Sequence, residues 1–120
     1  MKTKIMFVAG ARPNFVKIAP LLREFANHGD VFKTSLVHTG QHYDFEMSEV
    51  FFQGLQIPAP DIHLNVGSHS HAVQTGRIMI AFEKVVTKNT PDLIVVVGDA
   101  NSTVACALVA VKFGHQSGAR

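Results

Sequence analysis

Arg12 and Lys17 are the residues of this chain best placed to hold an anion. They lie in Gly10-Ala11-Arg12-Pro13-Asn14-Phe15-Val16-Lys17, after the apolar run Ile5 to Ala9 and at the start of an amphipathic segment. That context reads as strand, tight loop, helix. Such a corner aims backbone N–H groups and a helix dipole at whatever lies above the strand end. Arg12 adds a forked donor beside the helix start. Pro13 suits the first helical position, where its missing N–H would have been unpaired anyway. Lys17, about one turn further on, fits a ligand contact and a structural ion pair equally well. These eight residues alone are as compatible with an ordinary strand-to-helix corner as with a phosphate site.

Asp99 is the second candidate. It closely follows the apolar run Leu93 to Val97, so a carboxylate would be held rigidly at a strand end, where a general acid or base is useful. Its competing role is to cap the following helix. Gln41 and His42, in Thr39-Gly40-Gln41-His42, can hydrogen-bond a sugar or a phosphate, although a lone loop histidine is more often simply solvated. Ser68-His69-Ser70-His71, taken with His63, invites a metal reading. His-x-His without cysteines or further carboxylates is a poor metal signature, and no metal is expected. Neither G-x-G-x-x-G nor G-x-x-x-x-G-K-[ST] occurs, which argues against dinucleotide and P-loop sites. Cys106, the single cysteine, lies in the apolar run Val104 to Val111 and reads as a buried structural thiol.

The elements that must position these groups alternate. Ile5 to Ala9 predicts a short buried strand. Phe15, Ile18, Leu22 and Phe25 recur at helical spacing and predict a helix over about 13–28, kinked at Pro20. Phe32 to His38 predicts a second strand. Residues 43–53 predict a helix with Phe45, Val50 and Phe51 on its inner side, and Asp61 to Leu64 a short third strand. A long helix, capped within Ser68 to Ser70, follows to about Asn89, with Ile78, Phe82, Val85 and Val86 on one face. Leu93 to Val97, five apolar residues in a row, predicts a strand covered on both faces. A last helix, capped by Asn101 or Ser102, ends near Phe113-Gly114. This order predicts an α/β fold with a doubly wound parallel sheet. Ligands of such sheets bind outside the carboxyl ends of the strands. Three polar loops, Gly10 to Asn14, Thr39 to His42 and Gly98 to Ser102, should converge on that rim.

The 120 residues allow one small domain, burying roughly two-thirds of its unfolded surface, or part of a larger one. An apolar content of 47% against 17% charged residues is that of a globular chain. A net charge of +2 without a Lys/Arg cluster gives no support for nucleic acid or an acidic membrane as partner. No run approaches the ~18 apolar residues of a membrane span. Met1-Lys2-Thr3-Lys4 leads directly into a strand without a signal peptide, so a cytoplasmic location is expected.

Taken together these residues resemble the non-hydrolysing UDP-N-acetylglucosamine 2-epimerases. The family's G-[TA]-R-P-x-x-x-K-x-x-P opening is matched by Gly10, Arg12, Pro13, Lys17 and Pro20. Its T-G-Q-H is matched by Thr39 to His42, its P-D-[IL]-x-L-N by Pro60 to Asn65, and its P-D-x-[IV]-x-V-x-G-D from Pro91 onward. Order and spacing agree from residue 4 to about 114. The resemblance implies two Rossmann-like domains of the GT-B type with the active site between them. Residues 1–120 would be part of the N-terminal one, and the C-terminal UDP-binding domain would be absent from this chain. It implies conversion of UDP-N-acetylglucosamine to UDP-N-acetylmannosamine by elimination and re-addition of UDP, as used in making cell-envelope polysaccharides. It further implies a UDP-sugar as ligand, no cofactor, and a homodimer at full length. Arg12 would stabilise the leaving diphosphate and Asp99 would match the catalytic Asp. Lys17 matches a basic motif residue, and Gln41 and His42 match positions that contact a second, activating substrate molecule in allosterically regulated bacterial members.

Three departures stand out. Asn14 occupies a position where many members have Glu, and Ser70-His71 one where allosterically regulated bacterial members have Arg-Gln. His115 to Arg120 resembles the family's H-[VI]-E-[AS]-G-x-R with its preceding strand missing and its Glu absent. On that reading Leu93 to Val97 becomes an exposed sheet edge, and the 120 residues form a truncated piece without activity of its own. Two other classes fit the architecture: half of a retaining glycosyltransferase, and a sugar-nucleotide binding module without turnover. The T-G-Q-H loop and the Arg-Pro opening favour the epimerase.

Overall fold

A computed structural model describes residues 2–40, 48–67, 70–97, 105–109 and 116–119. The elements are β1 (Thr3–Ala9), α1 (Arg12–Ala26), β2 (Phe32–His38), α2 (Glu49–Gly54), β3 (Ile62–His63), α3 (His71–Asn89), β4 (Leu93–Val97) and β5 (Gln116–Ala119). Residues 105–109 are helical. The strands form one sheet in the order β3-β2-β1-β4-β5, and all four pairings are parallel. The chain winds from β1 through β2 to one edge, then crosses back to β4 and β5. The strand order therefore reverses between β1 and β4, and crevices for ligands open at such reversals.

Side-chain alternation along the central strand sorts the core into two layers. Ile5, Phe7 and Ala9 face Phe15, Ile18, Ala19 and Leu22 of α1, joined by Leu36, Phe52 and Ile57. Met6 and Val8 face the other way, toward Ile78, Phe82 and Val86 of α3 and toward Ala105, Cys106 and Val109. Helices thus cover both faces, which is why β1 and β4 read as unbroken apolar runs. The predicted inner face of α3 is the observed one. Its N-cap is Ser70, whose hydroxyl accepts the Val73 N–H at 3.4 Å.

Two Pro-Asp pairs start strands in the same way. Asp61 donates its N–H to Leu36 O (2.9 Å), and its Oδ2 accepts the Leu36 N–H (2.8 Å). Asp92 does the same with Lys4, both contacts being 2.8 Å. Each carboxylate thus completes a ladder rung with a side chain.

Three expectations are corrected. First, α1 begins at Arg12, so Pro13 is its second residue, and it ends at Ala26. Second, Val50 is not an inner residue of α2. It is 76% exposed, and Phe52, 2% exposed, anchors the helix to the core. The described helix has only six residues, Glu49–Gly54, and its phase turns Val50 to solvent; Phe45 lies outside the described residues. Third, the segment after Gly114 contains a strand. β5 pairs with β4 in the register Leu93↔Gln116 to Val96↔Ala119, so β4 is an interior strand. Main-chain hydrogen bonds make that pairing, and they require no apolar side-chain pattern.

Candidate functional site

The site is built on one rung of the sheet. Ala9, the last residue of β1, is in register with His38 of β2 on one side and Val97 of β4 on the other. The ends of β1, β2 and β4, where the three loops are predicted, therefore lie at one level, on adjacent strands about 4.8 Å apart, while the third loop, Gly98 to Ser102, lies outside the described residues. Thr39 donates its N–H to Ala9 O (3.1 Å), which ties the base of the second loop to the first.

The corner after β1 is tight. Ala11 is extended (φ −135°, ψ 159°) and caps α1. Asn14 folds back so that its Oδ1 accepts the Ala11 N–H at 3.0 Å, while its own N–H meets Ala11 O at 2.9 Å. Asn14, at the position where the resemblance implies Glu in many members, makes this contact with its amide. It also reduces the main-chain donors available to a ligand. The Ala11 and Asn14 N–H groups are engaged and Pro13 has none, so the Arg12 side chain is the main donor this corner could offer an anion. Arg12 is exposed, and its guanidinium carbon lies 4.6 Å from the centroid of the Phe51 ring. A cation held over an aromatic face keeps its hydrogen-bonding edge free while its orientation is restrained.

Phe51 belongs to a chain of edge-on rings. Its centroid is 6.4 Å from Phe15, Phe15 is 5.8 Å from His38, and His38 is 5.3 Å from His63. Arg12 thus stands at one end of an aromatic wall that runs past the end of β2 to the edge strand β3. Sequence reasoning missed Phe51 and His38 in these roles. The period-two pattern of β2, which puts His38 on the same face as the buried Leu36, was the available signal for His38.

Lys17 is exposed and has no acidic partner among the described residues. Five positions along a helix turn it about 140° away from Arg12. The fold therefore does not bring these two cations to one face. Gln41, His42 and Asp99 lie outside the described residues, as does His69 of the metal reading. His63 is engaged with His38, their Nδ1 atoms 3.2 Å apart, and His71 is the exposed first residue of α3. Among the described residues no group of three His, Cys, Asp or Glu side chains could hold a metal ion. Cys106 is fully buried, and burial pushes its thiol up from 9.0 to about 12, so it is no nucleophile at neutral pH. A groove of about 730 Å³ runs beside the edge strand, lined by His63, Asn65, Arg77, Ile80 and Lys84 among others. No helix among the described residues is long and apolar enough to cross a membrane.

The sequence profile of UDP-N-acetylglucosamine 2-epimerase matches residues 23–117. The chain belongs to the UDP-N-acetylglucosamine 2-epimerase family. It is 49% identical, over 91% of its length, to a UDP-N-acetylglucosamine 2-epimerase homolog of Methanococcus maripaludis, of which it covers 30%. It is 41% identical, over 91% of its length, to the UDP-2,3-diacetamido-2,3-dideoxy-D-glucuronate 2-epimerase of Pseudomonas aeruginosa, again covering 30%. The crystal structure of the Methanocaldococcus jannaschii UDP-GlcNAc 2-epimerase with UDP-GlcNAc and UDP superposes with a TM-score of 0.87 at 38% identity. That match takes in 98% of this chain and 32% of the other. The chain spans about 30% of the length of the epimerases it matches.

Proposed function

We propose that these residues form part of the first domain of an enzyme that interconverts UDP-N-acetylglucosamine and UDP-N-acetylmannosamine. The observation that carries this reading is Arg12, held over Phe51 at the start of α1, beside the reversal of strand order. A leaving diphosphate needs cationic stabilisation at such a place. The hydrogen on C2 has no adjacent carbonyl, so direct deprotonation to an enolate is closed. Instead the C2 proton leaves, the C1–O bond breaks with its electron pair going to UDP, and a C1=C2 double bond forms. Re-addition of UDP at C1, with a proton delivered to C2 from the opposite face, gives the epimer. Arg12 takes the diphosphate charge, and Asp99 moves or positions a proton. Gln41, His42 and Lys17 contact the substrate. In this reading the domain over 1–120 is partial, a second UDP-binding domain completes the cleft, and the enzyme is a cytoplasmic isomerase and a homodimer.

A second substrate has specific support. The Pseudomonas aeruginosa relative is named for a diacetamido uronate. Both sugars carry an N-acetyl group at C2 and the same UDP leaving group, so one mechanism serves both.

The test is solvent deuterium at C2 of UDP-N-acetylglucosamine in D₂O, followed by NMR. The full-length enzyme is expected to incorporate it, and Asp99→Asn to slow incorporation by ~10²-fold. Residues 1–120 alone are expected to incorporate none. A full-length protein that turns over only the diacetamido uronate would select the second substrate, and one that exchanges neither sugar would overturn the reading.

A further inference from the structure

We propose that Lys4, Lys33 and Lys88 form an anion site at the amino ends of the strands, at the far end of the sheet from Arg12, and that its ligand is a phosphate dianion, free or as the end of a larger molecule. The three lysines are remote in sequence, and the fold gathers them. Lys4 and Lys33 are direct register partners on the parallel β1–β2 pair. Their side chains share the face covered by α3, because Met6 and Val8 of β1 and Val37 of β2 pack against that helix. Lys88 comes from the last turn of α3. With Ser35, the three lysines line a cavity of about 160 Å³ whose lining includes the buried Met6 and Pro91. All three lysines are exposed, so an ion can enter from solvent.

Like charges directly opposite each other on neighbouring strands repel. Two groups offset them in part. The Asp92 carboxylate lies beside Lys4, but its Oδ2 accepts the Lys4 main-chain N–H at 2.8 Å. The carboxyl end of α3 carries about half a negative charge. Its carbonyls find other donors: Val86 O accepts the Thr90 N–H and Val85 O the Asn89 side-chain amide, each at 2.8 Å. Among the described residues the one ion pair is between His28 and Glu24, so none of the three ammonium groups is held by a carboxylate there. Even with Asp92 and the helix end counted in full, roughly one and a half positive charges remain around the cavity. A dianion offsets that excess; a neutral ligand leaves it.

Size narrows the ligand further. Pockets that enclose a whole small molecule run to roughly 300–1,000 Å³. A cavity of about 160 Å³ suits a single tetrahedral phosphate group and leaves the rest of a larger molecule in solvent. Lysine fits this task, being a point charge with three rotatable donors and without the planar fork that arginine offers a carboxylate. The Ser35 hydroxyl adds an uncharged donor. A bound phosphate would bridge β1, β2 and the end of α3, so its binding is linked to the stability of the chain. The site is independent of the sugar-nucleotide reading, because Arg12 stands beyond the other end of β1.

The experiment titrates the 120-residue chain with orthophosphate at pH 8, with ionic strength held constant by sodium chloride. The amide signals of Lys4, Lys33, Ser35 and Lys88 should move along one saturable curve, and the urea midpoint should rise with phosphate. Lys33→Gln should weaken binding about tenfold. Lys84→Gln removes the same charge from α3 outside the cavity and should bind as the parent does. Should Lys33→Gln not fold, Lys88→Gln is read in the same way. Phosphate also stabilises proteins by exclusion from their surface, without a site. A midpoint rise that is equal in the parent and in Lys33→Gln, or signal shifts that do not saturate, would therefore overturn the proposal. Parallel titrations with UDP distinguish the two sources of the phosphate. UDP that moves the same four signals at lower concentration than orthophosphate assigns the site to the end of a larger molecule. UDP that leaves them in place, while orthophosphate moves them, assigns it to the free ion.

Discussion

At the scale of single residues, the two cations of the first helix separate. Both were plausible ligands in the linear sequence, because five residues is a short distance along a chain. The helix turns that short distance into different faces, and only Arg12 stands over a ring that restrains it. In the full-length enzyme Arg12→Ala should therefore cost about 3 kcal/mol in the transition state, read from kcat/KM. Lys17→Ala should cost well under that, and a larger loss at Lys17 than at Arg12 would reverse the assignment. Cys106 gives a prediction of a different kind. Its thiol is raised from 9.0 to about 12 by burial, so it stays neutral in the folded chain while the unfolded chain ionises above 9. Its contribution to stability is complete below pH 9 and declines at about 1.4 kcal/mol per pH unit as pH rises toward 12. Urea melts at pH 8 and pH 10.5 should show this slope, and Cys106→Ala should lack it. A thiol reagent at pH 8 should label Cys106 only after unfolding.

At the scale of elements, the sequence was most legible where one residue pattern decides one structure. Alternation and apolar runs marked β1, β2 and β4, and helical spacing marked α1 and the inner face of α3. The two Pro-Asp pairs were visible as motifs, and their carboxylates turn out to complete ladder rungs. The His38–His63 contact was not legible. It depends on the register between strands 25 residues apart, which no local pattern encodes. The face of α2 was misread because the described helix is short and a small shift of its start rotates every position. That correction can be tested by stability. Phe52→Ala, which empties a fully packed site, should cost about 3–5 kcal/mol, and Val50→Ser should lie within about 0.5 kcal/mol of the parent. Equal losses at the two positions would restore the predicted orientation.

At the scale of the whole molecule, the decisive element is the least conspicuous in sequence. Gln116-Ser117-Gly118-Ala119 has no alternation and no apolar run, yet it forms the outer strand of the sheet beside β4. Without it, Leu93 to Val97 would present a row of unpaired main-chain groups on an apolar strand, a ready template for pairing with another chain. With it, the edges are β5 and the two-residue β3. Short edge strands are among the devices that limit such pairing. The 120 residues should therefore behave as a cooperative unit, and removal of residues 115–120 should convert β4 into the aggregation-prone edge expected from sequence alone. Two measurements check this. Amide exchange in the intact chain should be slow across 93–97 and slowed at 116–119. Light scattering of the shortened chain should rise with concentration where the intact chain stays monodisperse or forms a discrete dimer. A shortened chain with unchanged protection at Leu93 to Val97 and unchanged scattering would mean that β5 adds nothing to the sheet.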